Sequence, residues 1–598
     1  MPPLTVDFQP LGRRTQIERG ATLLQAAQDA GAELLATCGG QGTCGDCRIR
    51  IAYGTVSPLT PEEQTALTPT EQATGWRLAC QCVPLSDVKI EIPPTSLSTP
   101  QRLSIEGQAE EIQLDPPITA TEINITPPCL TDLRADSTRL LETLQRPNLH
   151  LSRHLLTHLS EHLRRQHWQA CLALRKDQII AVLPPGSPLL GLAVDIGTTK
   201  VAAYLVNLQT GHTLAKTGAM NPQIAYGEDV ISRIHYANTH PNGRHILQHR
   251  IIESINQLIQ ELTAHAQIRA ETIVEAVIVG NTVMHHLFAG LPVEQLGTSP
   301  YLPAVAEPLE FPAAEIGLAI APAAYIYLPP NIAGYVGADH VAMALAAEIH
   351  HTTRRVLAVD IGTNTEISLA ANGRLRCCSC ASGPAFEGAH ITFGMRAAPG
   401  AIEKVRIGET IQIATIEHRP PVGICGSGLL DAVAELTRVG ALEKRGNFNP
   451  QHPLVQTRQG KRQIILSPAE ANPHKQDISL LRTDINQIQL AKAAIRTGID
   501  ILLTEAGLHP TDLDEFILAG AFGTYLDIAS AIRIGMFPPL PREKFRQIGN
   551  AAGAGARQML LSHNRRRQAL DFARHSEYIE LSTHQDFQTK FTQNLLLG

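Results

Sequence analysis

The chain has 598 residues, 43% hydrophobic and 18% charged, with a formal net charge of −6; that is too long for one hydrophobic core, so about three to four domains are expected, and the negative balance argues against a general nucleic-acid binder. There is no run of about 18 uninterrupted apolar residues, and the N-terminal MPPLTVDFQPLGRR lacks the basic-then-apolar order of a signal peptide. A cytoplasmic protein without membrane spans is expected, and its eleven cysteines read as ligands or buried thiols rather than disulfides.

Residues 4–18, LTVDFQPLGRRTQIE, read as two short strands around a Leu-Gly turn. A helix over residues 22–30 follows, closed by Gly31. Then comes Cys38-Gly-Gly-Gln-Gly-Thr-Cys44-Gly-Asp-Cys47, a C-x5-C-x2-C spacing. Strand signals resume at residues 48–51, Thr60-Pro61-Glu62-Glu63 is a capping box with proline in the first helical position, and residues 88–92 alternate as a closing strand. Three thiolates from one tight loop plus a fourth from elsewhere suit a [2Fe–2S] cluster. Gly39, Gly40, Gly42 and Gly45 let backbone N–H groups turn inward toward its negative charge. The fourth thiolate falls to Cys80 or Cys82, since residues two apart on a strand face the same way; Cys80 is preferred. Zinc is the rival metal, but zinc sites usually show two C-x2-C pairs. The order of elements resembles the β-grasp [2Fe–2S] ferredoxins over residues 1–94, and C-x5-C-x2-C followed by Arg77-Leu-Ala-Cys80-Gln81 looks like the adrenodoxin type.

Residues 95–118, rich in Pro, Ser and Thr at their start, read as a linker. Residues 119–187 read as a small α/β domain with strands at 122–125 and 178–182 and a helical stretch between. His150, His154, His158 and His162 recur every four residues among leucines; a polar helix edge explains them better than a metal site.

Leu-Ala-Val-Asp195-Ile-Gly197-Thr198 recurs identically as Leu-Ala-Val-Asp360-Ile-Gly362-Thr363. Each copy lies between apolar runs, which is strand, tight turn, strand, and the separation points to two related halves of one domain over residues 188–598. In each turn the glycine admits a phosphate, while Thr198, Thr199, Thr363 and Asn364 add short polar donors. Asp195 and Asp360 would repel bare phosphate, so Mg²⁺ is expected between them and a nucleotide. Lys200 is either a further positive charge or a solvated strand residue. Downstream, Gly423-Ile-Cys-Gly426-Ser427-Gly428 opens a helix, and Gly520-Ala521-Phe522-Gly523 ends a strand. These features resemble the actin, sugar-kinase and Hsp70 superfamily, with its duplicated ribonuclease H-like ATPase fold. The resemblance implies phosphate loops at residues 195–200 and 360–365, an adenosine loop at Gly520-Ala521-Phe522, and Gly426 and Ser427 near the nucleotide. Alanine at 521 departs from the usual Gly-Gly. Cys377, Cys378 and Cys380 fall where a strand should continue and read as buried thiols. Arg565-Arg566-Arg567 reads as a solvated helix face.

Taken whole, the order of ferredoxin domain, linker, small domain and duplicated ATPase is similar to the reductive activators of corrinoid proteins. Gly280-Asn-Thr-Val-Met-His-His286, residues 221–229, Ser382-Gly-Pro-Ala-Phe-Glu-Gly388 and residues 330–336 look like that family's patterns. The resemblance implies ATP-dependent one-electron reduction of Co(II) to Co(I), a corrinoid methyl-carrier protein or cobalamin-dependent methyltransferase as partner, an external low-potential electron donor, and a homodimer. It implies that Cys38, Cys44, Cys47 and Cys80 hold the cluster and that Asp195 and Asp360 organise Mg²⁺. Three rivals stay open: a kinase with a ferredoxin domain, an activator of 2-hydroxyacyl-CoA dehydratases, and a redox-sensing nucleotide-binding regulator.

Overall fold

A computed structural model of the chain describes residues 3–9, 13–30, 32, 34, 36, 38–93, 96, 112–227, 229–388, 390–458, 460–472 and 475–598, the side chains of Gln9, Arg13 and Ala521 excepted. Gly31, the expected helix stop, and most of the expected linker lie outside the described residues. The chain groups into two compact units.

The first unit comprises residues 1–101, 220–254 and 286–304. Its sheet has the order Arg13–Ile17, Leu4–Gln9, Val88–Glu91, Arg48–Tyr53, Trp76–Leu78. Leu4–Gln9 runs parallel to Val88–Glu91, and the remaining pairs are antiparallel. Alternation decides which face is inside: Val6, Phe8, Ile49 and Ile90 are buried beneath Leu23, Ala26 and Ala27 of the helix Leu23–Asp29. Thr22 caps that helix by accepting from the Gln25 N–H. The Thr60 capping box forms as expected, and a second, at Thr68 and Glu71, follows it.

Glu63 does more than cap. It is fully buried and receives Arg77 Nε at 2.9 Å, Arg77 Nη2 at 2.7 Å and the Leu78 N–H at 2.9 Å. The guanidinium also donates to the carbonyls of Ser57 and Pro58. This network fixes the strand that leads into Cys80. Breaking one side of a buried ion pair costs about 3–5 kcal/mol because the other charge is left unpaired. Glu63→Gln is therefore expected to lower the temperature at which the visible cluster absorption melts away; an unchanged melt would show that the pair is not holding this region.

Residues 220–254 fall within the range the sequence assigned to the ATPase, yet they group with the ferredoxin fold. Gln28 Nε2 donates to the Ala225 carbonyl at 2.7 Å, and Arg250 bridges back to the Gln28 carbonyl at 3.0 Å and the Tyr226 hydroxyl at 3.1 Å.

The second unit comprises residues 102–219, 255–285 and 305–598. Its small sheet has the order Thr119–Asn124, Gln169–Arg175, Gln178–Leu183, His150–Leu151. The strand Gln169–Arg175 lies in the stretch read as helical. It is buried along nearly its whole length, so it shows no period-two alternation. The helix Arg153–Arg165 buries Leu159 and Leu163 and leaves His154 and His158 exposed, the polar edge expected. The end of the expected linker is held: the Asp115 N–H donates to the Leu561 carbonyl and its own carbonyl accepts from His563 N–H.

Two larger sheets carry the duplication. One has the order Thr213–Met220, Lys200–Asn207, Leu190–Ile196, Ile273–Gly280, Tyr325–Leu328, Leu309–Pro312; the other, read from its opposite end, is Ser576–Tyr578, Arg374–Cys380, Thr365–Ala371, Val356–Ile361, Glu515–Ala519, Phe545–Gly549. Leaving aside one edge strand from each, both read third, second, first, fourth, fifth, with the fourth parallel to the first. This is the ribonuclease H-like fold, present twice. The helices Ala338–Ala346 and Ala551–Leu561 cross so closely that a Cβ on Gly555 would lie 2.0 Å from the Ala342 carbonyl oxygen. Arg566 corrects the sequence reading of the basic run. It is buried, paired with Glu275 at 2.9 Å and stacked over Tyr327, while Arg567 is exposed. Charge counting along a sequence cannot see a buried carboxylate contributed by a distant strand. Among the described residues no helix is long and apolar enough to cross a membrane.

Candidate functional site

Cys38, Cys44, Cys47 and Cys80 come together in the first unit as two pairs. The Cys38 and Cys44 sulfurs are 3.3 Å apart. Donation from the Cys44 thiol, helped by the backbone N–H groups of Cys44 and Thr43, holds Cys38 down to about 4. Contact with Cys47 likewise lowers Cys80, aided by Gln81 and the Gly42 N–H, and raises its partner Cys47. Gly39, Gly40, Gly42 and Gly45 all have φ between 64° and 94°, where a side chain would be strained. Gly42 also has no room for one: a Cβ there would meet the Gln81 side chain at 2.9 Å.

Cys82 parts from Cys80 because residues 79–81 form a turn instead of continuing the strand Trp76–Leu78. Its thiol is pushed up to about 12 by burial and feels the charges of Arg77 and Glu63. Among the described residues no three His, Cys, Asp or Glu side chains converge on one metal-ion position. A two-iron cluster asks for something else, four thiolates shared between two irons, and the two sulfur pairs fit that demand.

In the second unit the two Asp-Ile-Gly-Thr turns occupy matching places. Asp195 is in register with Ala202 and Val279, and Asp360 with Glu366 and Ala519. The turn glycines serve the turn itself: a Cβ on Gly197 would lie 2.8 Å from the Lys200 carbonyl oxygen, and one on Gly362 would lie 3.1 Å from that of Asn364. Thr199 and Thr363 bring their hydroxyls to 3.4 Å, and both donate to Glu387, at 2.8 and 2.5 Å. Thr198 Oγ1 accepts from Asn281 Nδ2 at 3.1 Å. Lys200 is half-buried; burial lowers its pKa, the Glu387 carboxylate opposes this, and Arg396 adds to it.

The carboxylates gather here. Burial pushes Asp195 up to about 6 against a hydrogen bond from Asn550 Nδ2 at 3.1 Å. Burial and then the charge of Asp195 push Asp360 up to about 7. Asp339 rises to about 8 through burial and the charges of both. Glu366 is raised by burial, then by Asp339 and Asp360. Asp195, Asp339 and Asp360 are half-buried. Such repulsion is relieved by a cation. Mg²⁺ suits the donor set, because it keeps several waters and takes only one or two carboxylates plus phosphate oxygens.

The second Asp-Ile-Gly-Thr turn adjoins the expected adenosine turn, since a Cβ on Gly520 would meet Asp360 Oδ1 at 2.7 Å. Residues 520–525 form a short helix that starts at the glycine; the Ala521 side chain lies outside the described residues. Gly426 and Phe522 meet in one corner with Phe386, whose ring stacks on Phe522 at 4.8 Å. The Ser427 hydroxyl lies 3.5 Å from Cys425 Sγ. Asp339, Asn281, Glu387 and Asn550 went unassigned in the sequence. Asn281 had a usable signal: Gly280, just before it, holds the place in its half that Gly520 holds in the other. Cys377, Cys378 and Cys380 are buried, and burial pushes Cys377 up to about 12.

Four family models match the chain: the 2Fe-2S iron-sulfur cluster binding domain over residues 6–85, the RACo linker region over 107–187, the RACo middle region over 190–352, and the C-terminal domain of RACo, the ASKHA domain, over 354–598. Corrinoid activation enzyme RamQ of Eubacterium limosum is 31% identical over 100% of this chain and 99% of its own. The [Co(II) methylated amine-specific corrinoid protein] reductase of Methanosarcina barkeri is 27% identical over 66% of this chain and 75% of its own. A solved structure titled reductive activator for corrinoid, iron-sulfur protein aligns with a TM-score of 0.73 at 34% identity, covering 99% of this chain and 98% of that one.

Proposed function

The chain belongs to the family of reductive activators of corrinoid proteins, and on that premise we propose that it returns the cobalt of a corrinoid protein from Co(II) to Co(I), one electron at a time and at the expense of ATP. The observation that carries this reading is that one chain holds both a two-pair thiol pocket and a carboxylate-floored cleft beneath two facing threonine turns. A [2Fe–2S] cluster held by Cys38, Cys44, Cys47 and Cys80 supplies a single-electron carrier, which matches the single-electron change at cobalt. The glycine loop and Gln81 shape its pocket.

In the second unit, Thr198, Thr199, Lys200, Gly362, Thr363 and Asn364 take the phosphates, and Gly426, Ser427, Gly520, Ala521 and Phe522 take the nucleoside end. Asp195 and Asp360 organise hydrated Mg²⁺, and Asp339 adds its charge beside them. Nucleotide is needed because each ~59 mV of potential shortfall in a one-electron transfer costs about tenfold in equilibrium constant. Binding energy that favours a more reducible form of the acceptor offsets that shortfall. The electrons come from an external low-potential donor in the cytoplasm.

The test is anaerobic spectroscopy of a purified cob(II)alamin-containing methyl-carrier protein mixed with this protein and reductant, with and without Mg-ATP. The Co(I) band should grow only when both this protein and ATP are present. Growth without ATP would remove the energetic role of the cleft; no growth with several such carriers, from protein whose cluster is intact, would overturn the acceptor assignment.

A further inference from the structure

We infer that Glu387 is a built-in stand-in for nucleotide phosphate, a latch that closes the two threonine turns on each other and must be displaced before ATP can seat. The inference rests on the nucleotide reading of this cleft and adds to it a means of regulation. Glu387 Oε2 accepts from the Thr199 hydroxyl at 2.8 Å and Oε1 accepts from the Thr363 hydroxyl at 2.5 Å. A hydroxyl has one proton to give. Both protons are spent on this carboxylate, so the 3.4 Å between the two hydroxyl oxygens is proximity enforced by a shared acceptor and not a bond between them. Glu387 also faces the Lys200 charge, to which Arg396 is a neighbour. Two hydroxyl donors from opposite halves and a nearby ammonium are what an edge of a phosphate group requires, two oxygens and negative charge. These donors cannot serve the carboxylate and a phosphate together.

The surroundings hold the latch in place while leaving it a way to open. Glu387 ends the short turn Pro384–Glu387. The preceding Phe386 is anchored by its stack on Phe522, and its carbonyl is pressed so tightly on residue 426 that a Cβ there would come within 1.8 Å. On either side stand Gly383 and Gly388, with φ of 72° and 85°, conformations that glycine adopts freely and where a turn can pivot.

The energetic consequence is a reduced apparent affinity, divided by the fraction of molecules with the latch open. A latch closed about nine-tenths of the time weakens ATP binding about tenfold. Adenosine, which has no phosphate to compete for the threonines, escapes this penalty. The experiment compares the full-length, cluster-loaded protein with Glu387→Ala and Glu387→Gln, titrating a non-hydrolysable ATP analogue with Mg²⁺ and, separately, adenosine. Both variants should bind the analogue more tightly, alanine by about tenfold and the isosteric glutamine by less, with adenosine affinity unchanged. A side chain with a merely structural role would not yield tighter binding when removed. Should alanine prevent folding, the glutamine variant decides alone. Equal or weaker analogue binding by a folded variant, beside a wild-type protein that binds, would overturn the latch and leave the nucleotide site standing. A wild-type protein and variants that all fail to bind would remove the nucleotide reading and the latch together.

Discussion

Cys80→Ala is expected to strip the protein of its iron–sulfur absorption, while Cys82→Ala leaves the spectrum in place. Both thiols are almost fully buried, at 7% and 0% exposure, so accessibility does not separate them. Their partners do. Cys80 meets Cys47 and the Gly42 N–H, both in the loop that carries the other three sulfurs, and accepts from its neighbour Gln81. Cys82 stands instead beside Arg77 and Glu63, and burial raises its thiol. Loss of one of four thiolates leaves one iron short of its complement. Loss of Cys82 removes only packing, on the order of 1 kcal/mol. Reconstituted protein would be compared by visible absorption and iron content. A colourless Cys82 variant beside a coloured Cys80 variant would reverse the assignment.

The same pair shows what could be read in advance and what could not. The loop spacing, its four glycines and the closing strand are local features, and local geometry is what sequence encodes most directly. The choice between residues 80 and 82 depended on whether the chain turns after Leu78, and the strand end before that turn is held from a distance by Glu63. In the second unit the repeated Asp-Ile-Gly-Thr turns announced the duplicated fold, since each is a single strand–turn–strand. Asp339 and Asn550 carry no such signal. They reach the cleft only because two helices, starting at residues 338 and 551, are brought together across the duplication by the bare backbone of Gly555. Glu387 was visible only within a segment that resembles the family's pattern, and its meaning lies in a contact with Thr199, far away in sequence. Buried ion pairs are hidden in the same way. Arg566 looked like one more solvated charge in a run of three until Glu275 was found beneath it.

Asparagine at position 360 is expected to make the protein more stable and less able to use ATP at the same time. The side chain keeps its shape but loses the charge that, together with Asp195, raises Asp339. Without nucleotide or cation, three neighbouring carboxylates on a cleft floor repel one another. Relieving that strain should raise the unfolding temperature of the nucleotide-free protein, the usual trade at functional sites. Nucleotide-driven Co(I) formation should fall steeply. A divalent cation contributes several kcal/mol of charge stabilisation to phosphoryl chemistry, and a deficit of about 3 kcal/mol is roughly a hundredfold in rate. The iron–sulfur spectrum should not change, because the four cysteines belong to the other unit. Asp195→Asn should behave alike, with one difference: Asn550, which donates to Asp195 at 3.1 Å, would lose a charged acceptor and return part of the stability gained. The measurements are thermal unfolding without nucleotide and the Co(I) time course with Mg-ATP on the same preparations. Asp360→Asn protein that is destabilised and still drives the reaction at full rate would mark these carboxylates as scaffold. The combination of higher stability and lost ATP use is what a cation site produces, since the charges costly to the empty fold are those the bound metal requires.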